Sequence, residues 1–399
     1  MSESITNLCR VMAPPHPLWI LELYSGIGGM HTAARESGLP FEIVGTYELN
    51  PTALEVYRHN FPGTNKPRNI MGLTVEELTN LNPSVIMMSP PCQPFTRQGL
   101  KRDVEDARTS SFLHLLGLLE EVLRPPDMIL LENVAGFETS LARDRLVSLL
   151  KTRNYVWQEF LLSPTQLGVP NSRLRYYMLA KQKPATFCFT LSDKVQEEFP
   201  LCLCVKVEDS VTSKTGSCHR CTRPLLNSLH TLLHKFHSDR HPGSLHAVTS
   251  YTQVLPSLSH YLSLTDNLEP YLLKDKILNK YHMLLDIVDR ESQRSCCFTK
   301  GYAHYVEGTG SVIQHNTTVN MAETYSKVQL LAADDSHRLE LLRELQLRYF
   351  TPEEVTKLMC FPDWYDLPQS ITNKQKYKVL GNSVNVLVVT SLLLMLAEN

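Results

Sequence analysis

"LWILELYSGIGGMHTAARES", residues 18–37, begins as an apolar run, breaks over three glycines and resumes with a helical pattern. The run "LWILEL" (18–23) reads as a short strand, and "MHTAARES" (30–37) as the helix after it. Strand, glycine turn and helix bring backbone N–H groups close to a ligand at a helix N-terminus. The glycines do not follow G-x-G-x-x-G and no Walker lysine follows, so neither a dinucleotide nor a triphosphate is favoured. The same turn can also serve only to pack helix on strand. A second strand, "EIVGTYE" (42–48), ends at Glu48, about 20 residues beyond the glycines, where an acid can hold ribose hydroxyls. A ribose-bearing ligand without a pyrophosphate fits an adenosyl cofactor.

Outward from this unit the alternation continues. "PTALEVYRHN" has Pro51 at a first helical position. "SVIMM" (84–88) and "DMILLEN" (127–133) read as strands around the helix "SSFLHLLGLLEEVL" (110–123). A helix over 140–152 and strands near 155–162 and 175–181 follow. Such alternation predicts a mostly parallel sheet covered on both faces, with ligands at the carboxyl ends of its strands. Residues 183–295 lose any clean period and are expected to be partly disordered, although "LLNSLHTLLHKFHS" is helical in pattern. Strands and turns are expected again from 296, in "CCFTKGYAHYVEGTGSVIQ". "TPEEVTKLMCF" (351–361) carries an N-cap Thr, a Pro at the first helical position and acids in the first turn. The terminal "VNVLVVTSLLLMLA" (384–397) is too short for a bilayer span and reads as a buried helix.

At 399 residues, 43% hydrophobic and 20% charged, the composition is that of an ordinary soluble globular chain. The net charge of -2 means that any nucleic acid must be met by a local basic patch. Ten irregularly spaced cysteines point to a reducing compartment. Residues 1–17 lack the apolar core of a secretory signal and read as a flexible arm.

Three stretches carry chemistry. In "MMSPPCQPFTRQG" (87–99), prolines stiffen the chain before Cys92, and Arg97 follows. A free thiol has a pKa near 8.5, and a nearby cation raises its thiolate fraction. Glu132 ends the fourth strand, on the rim expected to hold Cys92, and suits acid work if burial raises its pKa. Arg173 and Arg175 stand two apart at a strand start, a spacing that puts both on one face. Each has a plainer reading: a buried structural thiol, a capping acid, a solvated pair.

Together, "YSGIGG", "PPCQPF", "ENV" (132–134), "NSRLR" (171–175) and "GNSVNV" (381–386) resemble, in order and spacing, the motifs of the cytosine-5 methyltransferases. The resemblance spans roughly 18–182 and 296–399, and "CFTKGY" (297–302) is similar to the tRNA-aspartate branch. It implies an α/β, Rossmann-like S-adenosylmethionine-dependent methyltransferase domain with an inserted smaller target-recognition domain. The catalytic domain would take 18–185 and 348–399, and the insert, with a variable segment, 186–347. It further implies that Cys92 attacks carbon 6 of cytosine while Glu132 holds the nitrogen 3 edge and supplies a proton. Arg175 would contact the 2-oxo group, with Arg173 in support. Tyr24 would pack near the adenine of S-adenosylmethionine, Gly26, Gly28 and Gly29 would form its turn, and Glu48 would bind ribose. Asn69 and Ile70 stand where the family often has Asp-Ile near the adenine amino group. Asn382 and Ser383 would close the pocket.

Substrate contacts are expected from Gln93, Arg97 and Lys300. Lys101, Arg102, Arg294, Lys374, Lys376 and Lys378 are further cationic candidates. The expected partner is a tRNA anticodon loop, with DNA as the alternative and a non-catalytic binding relative as a third reading. A monomer is expected, off the membrane, in the cytoplasm with access to the nucleus. No metal is expected, although Cys202, Cys204, Cys218 and Cys221 offer two thiol pairs of the kind zinc uses.

Overall fold

The computed structural model describes residues 16–63, 68–91, 109–203, 226–240, 255–263, 267–332 and 335–398. Strands β1 (Leu18–Leu23), β2 (Phe41–Tyr47), β3 (Val85–Met88), β4 (Met128–Val134), β5 (Tyr155–Leu162) and β6 (Arg175–Gln182) form one sheet in the order β2-β1-β3-β4-β6-β5. β1 runs parallel to β2 and β3, and β3 to β4. β6 lies antiparallel between β4 and β5, so the sheet is mostly parallel, as expected, with the single strand β6 reversed. The reason is the link. Residues 163–174 hold only the single 3-10 turn Pro164–Leu167, whereas a parallel return needs a crossover that is usually a helix.

Successive residues serve opposite faces. Ile20, Met87, Leu130 and Tyr177 pack in one core, and Leu21, Met88, Leu131 and Tyr176 in the other. This is why the strands read as continuous apolar runs. α1 (Gly29–Glu36), α2 (Pro51–Asn60) and α12 (Val386–Ala397) cover the first face. α3 (Val75–Leu81), α4 (Ser110–Glu121) and α5 (Leu141–Thr152) cover the second. Local chemistry starts these helices. Asn50 accepts hydrogen bonds from the N–H groups of Thr52 and Ala53, with Pro51 at the first helical position, and Ser140 accepts from Arg143.

Beyond α6 (Asn227–Arg240), strands β7 (Ile287–Val288), β8 (Val312–Gln314) and β9 (Leu347–Tyr349) make a second sheet in the order β7-β8-β9. α7 (Asp275–Tyr281), α8 (Met321–Leu330) and α9 (Ser336–Glu344) share a separate small core with it. The residues where the sequence reading divides insert from C-terminal part are thus strand β9, paired with β8. α10 (Pro352–Leu358) opens with a capping box between Thr351 and Glu354, and α11 (Asn373–Gly381) with one between Thr372 and Gln375.

The chain then returns to the first sheet. Val386 to Leu396 are all buried, and Thr390 Oγ1 donates to the Ala33 carbonyl of α1 at 3.3 Å. By length and composition Asn373–Ala397 could cross a membrane, but here it is mostly buried inside the protein. Residues 1–15, Cys204, Cys218 and Cys221 lie outside the described residues, and Cys202 is buried.

Candidate active site

A pocket of about 400 Å³ opens at the carboxyl ends of β1 to β4. Its walls are the turn after β1, Glu48 after β2, Pro90 and Pro91 after β3, Glu132 in β4, the start of β6 and residues 381–384.

On the β1–β2 side the backbone is bent sharply. Tyr24 has φ 56 and Gly26 φ 53, and a left-handed aromatic residue is rare outside functional turns. The Tyr24 hydroxyl meets Ser111 Oγ at 3.1 Å, and the residue lines the pocket. Glu48 locks the turn. Its Oε2 accepts from Gly26 N at 2.9 Å, and its Oε1 accepts from Leu49 N and Asn50 N at 2.9 and 2.7 Å. Ser25 Oγ is buried beside it with no hydrogen-bond partner among the described residues. A ligand that brings hydroxyl, amino or carboxylate groups into this corner would satisfy that atom.

The three glycines do different work. Gly26 lines the pocket. Gly28 does not; at φ 83, a Cβ there would lie 2.7 Å from Phe61, so it serves packing. A Cβ on Gly29 would meet Val384 Cγ2 at 2.7 Å, so its bareness lets the 381–384 turn close in. Asn382 and Ser383 line the pocket from that turn. Asn69 and Ile70 do not line it. Asn69 Oδ1 accepts from Met71 N at 3.0 Å and starts the 3-10 turn Ile70–Gly72, while Ile70 is buried in the second core.

On the opposite side Glu132 is buried, and burial pushes its carboxyl above the usual range against the pull of Arg175 and Arg173. Arg175 Nε stands 3.6 Å from Glu132 Oε1. Arg173 is 2% exposed, and both its terminal nitrogens are engaged elsewhere, while its Nε is buried without a partner among the described residues. It donates to Cys297 Sγ, to the Phe298 and Gly381 carbonyls at 3.1 Å each, and to the Ser383 carbonyl. Both arginines therefore line the pocket; Arg175 makes the close approach to Glu132, and Arg173 clamps three chain segments together.

Sequence reasoning missed three participants. Ser25 is an unremarked hydroxyl between glycine-turn residues. Asn133 takes Val134 N at 2.8 Å and donates to the Pro90 carbonyl at 3.4 Å, fixing the proline step to β4. Cys297 lies beside both guanidiniums; burial pushes its thiol up, but Arg173 and Arg175 outweigh this and hold it below its ordinary value. Its place at the head of "CFTKGY" was the available signal.

Cys92, Gln93, Arg97, Lys101 and Arg102 lie outside the described residues. Lys300 is exposed and does not line the pocket, but its backbone does shape the rim: a Cβ on Gly381 would lie 2.2 Å from Lys300 N. Arg294 is paired with Asp286 at 2.6 Å, and Lys376 is buried 3.8 Å from Glu353. Lys374 and Lys378 are exposed, one helical turn apart on α11. The pocket thus sets a buried carboxyl of raised pKa and a guanidinium opposite a turn whose polar groups face a ligand.

Residues 18–397 match the family model of C-5 cytosine-specific DNA methylases. The chain is 42% identical over 392 residues to a tRNA (cytosine(38)-C(5))-methyltransferase of Bos taurus, spanning 96% of this chain and 100% of that protein. It is 36% identical over 388 residues to a DNA (cytosine-5)-methyltransferase of Dictyostelium discoideum, spanning 96% and 94%. A crystal structure of a Spodoptera frugiperda DNMT2 mutant is similar with a TM-score of 0.76 at 40% identity, covering 95% of this chain and 99% of that one.

Proposed function

This chain belongs to the C-5 cytosine-specific DNA methylase family, and we propose that it acts on RNA: it methylates carbon 5 of a cytosine in a tRNA anticodon loop, that of tRNA-Asp. The observation that carries this reading is the 42% identity, over nearly the whole of both chains, to a tRNA (cytosine(38)-C(5))-methyltransferase. The corresponding target is the cytosine at position 38. The protein works as a monomer in the cytoplasm, with access to the nucleus.

The residues present fit S-adenosylmethionine. Glu48 is held where ribose hydroxyls can bond it, the unsatisfied Ser25 Oγ adds a polar contact, and Tyr24 offers a ring to the adenine. Bound there, S-adenosylmethionine supplies the methyl group that carbon 5 takes up.

The chain's own part begins with Cys92, whose thiolate forms a bond to carbon 6 of the cytosine. The displaced electron pair moves through the ring, and Glu132, whose carboxyl burial pushes above the usual range, gives a proton to nitrogen 3. Arg175 steadies the 2-oxo group. After methylation a base takes the proton from carbon 5, the bond to sulfur breaks, Cys92 leaves as thiolate and Glu132 recovers its proton. The target must leave its stack, which costs less in a loop than in a duplex.

The test is incubation with labelled S-adenosylmethionine and either total tRNA or duplex DNA, beside a Cys92→Ala protein. Label in tRNA, lost in the variant, is expected. Label in DNA alone overturns the RNA reading, and no label in either points to a binding relative. Label that survives in Cys92→Ala overturns the covalent step.

A further inference from the structure

We infer that Tyr305 is a stacking platform for the RNA base next to the methylated cytosine. The inference rests on the RNA reading above and adds to it a residue that grips the loop.

Two tyrosines stand three apart in "GYAHY" (301–305) and meet opposite fates. Tyr302 is 3% exposed; its hydroxyl donates to the Ser311 carbonyl at 2.6 Å and accepts from Phe350 N at 2.9 Å. Tyr305 is 64% exposed, and its hydroxyl has no hydrogen bond among the described residues. Packing accounts for the first and not for the second. Ala303, between them, has φ 59, a left-handed conformation that costs a residue with a Cβ some strain and turns the chain outward there. Both His304 and Tyr305 are exposed beyond it, their ring centroids 4.5 Å apart.

This turn is fixed to the pocket mouth. Thr299 and Lys300 are wedged against Gly381, which lines the pocket, and Arg173 ties the Phe298 carbonyl to those of Gly381 and Ser383. The Tyr305 ring lies against Gly301, where a Cβ would be 3.0 Å from its Cδ2. Exposed Lys300 adjoins it, with exposed Lys374 and Lys378 on α11, the helix that ends at Gly381; none of the three lysines forms an ion pair among the described residues.

Drawing one cytosine out of a loop strips its neighbour of a stacking partner. Single-stranded bases are taken up on aromatic faces with cations tracking their phosphates, and that is the chemistry presented here. A duplex keeps the neighbour stacked on its other side and gains less.

The probe is an anticodon stem-loop RNA with 2-aminopurine placed on either side of the target cytosine, one side at a time. Binding to the wild-type protein and to Tyr305→Phe is expected to quench the fluorophore at one of the two positions. Tyr305→Ala is expected to lose that quenching and to raise KM for tRNA roughly 5- to 150-fold, with S-adenosylmethionine affinity and thermal midpoint unchanged. Absence of quenching at both positions with wild-type protein overturns the inference. So does a Tyr305→Ala protein with quenching intact and KM within about twofold. A wild-type protein that methylates DNA and not tRNA instead defeats the RNA reading, so the two failures are distinct.

Discussion

Arg175 Nε lies 3.6 Å from Glu132 Oε1 as its diagonal neighbour across the antiparallel β4–β6 ladder, too far for a tight ion pair. The carboxyl is desolvated by burial and only partly compensated, so it holds its proton above the usual range. A fully closed pair would have made it a poor acid.

Glu132→Gln is therefore expected to slow single-turnover methylation by roughly 100- to 10,000-fold, because the amide cannot pass on a proton. Its thermal midpoint should stay near the wild type. The wild-type rate should fall at alkaline pH as Glu132 loses its proton, and this limb should vanish in the variant. A variant with the wild-type rate removes Glu132 from the proton path.

Arg173 and Arg175 should separate by readout. Arg173→Ala removes the donor to the carbonyls of Phe298, Gly381 and Ser383, two of them in buried bonds, and should cost about 2–4 kcal/mol in urea unfolding. Arg175→Ala should cost under about 1 kcal/mol and lose activity instead, since its side chain is partly exposed and it donates to its neighbour's carbonyl and the Cys297 sulfur. Equal stability losses would contradict this division.

Ser25→Ala tests the orphan hydroxyl. Deleting one hydrogen bond to a ligand should weaken S-adenosylmethionine binding by roughly 5- to 10-fold in calorimetry while leaving the melting curve alone. Unchanged affinity would show that the hydroxyl does not meet the cofactor.

Stability should depend on pH through Glu22. This residue is fully buried on β1, bonded by the Tyr57 hydroxyl at 2.8 Å and by His31 N at 3.2 Å, and burial pushes its carboxyl up to about 8. The folded protein thus binds a proton that the unfolded chain releases near pH 4.5, so its contribution is full below that pH and is lost as pH rises toward 8. His31 acts oppositely: burial, with Arg35 nearby, lowers it to about 4 from 6.5, so its contribution grows over that range and is flat above it. Between pH 6.5 and 8 only the Glu22 slope of this pair remains. Over that interval the wild type should lose on the order of 1–2 kcal/mol that Glu22→Gln does not lose. Parallel curves for the two proteins would refute the assignment.

Much of this molecule is decided within a few residues of chain. The strand 18–23, the Pro51 and Thr351 helix starts and the bend at Gly26 come from side-chain period, cap chemistry and backbone freedom, all short-range causes visible in the letters. Glu48 and Glu132 were legible too, because strand ends on one rim must meet. Asn69 was not: whether its carbonyl points at a ligand or caps a turn depends on the turn that forms.

What the letters left undecided concerns partners far apart in the chain. β6 could have extended the sheet in parallel, and only the docking of the link 163–174 reversed it. Arg173 and Arg175 look alike in "NSRLR", yet one meets Glu132 while the other bonds the Ser383 carbonyl 210 residues away. Local propensity carries no term for such a contact. It exists because the C-terminal helix α12 returns to bury its apolar surface against α1 and the first sheet, and so brings the 381–384 turn to the pocket.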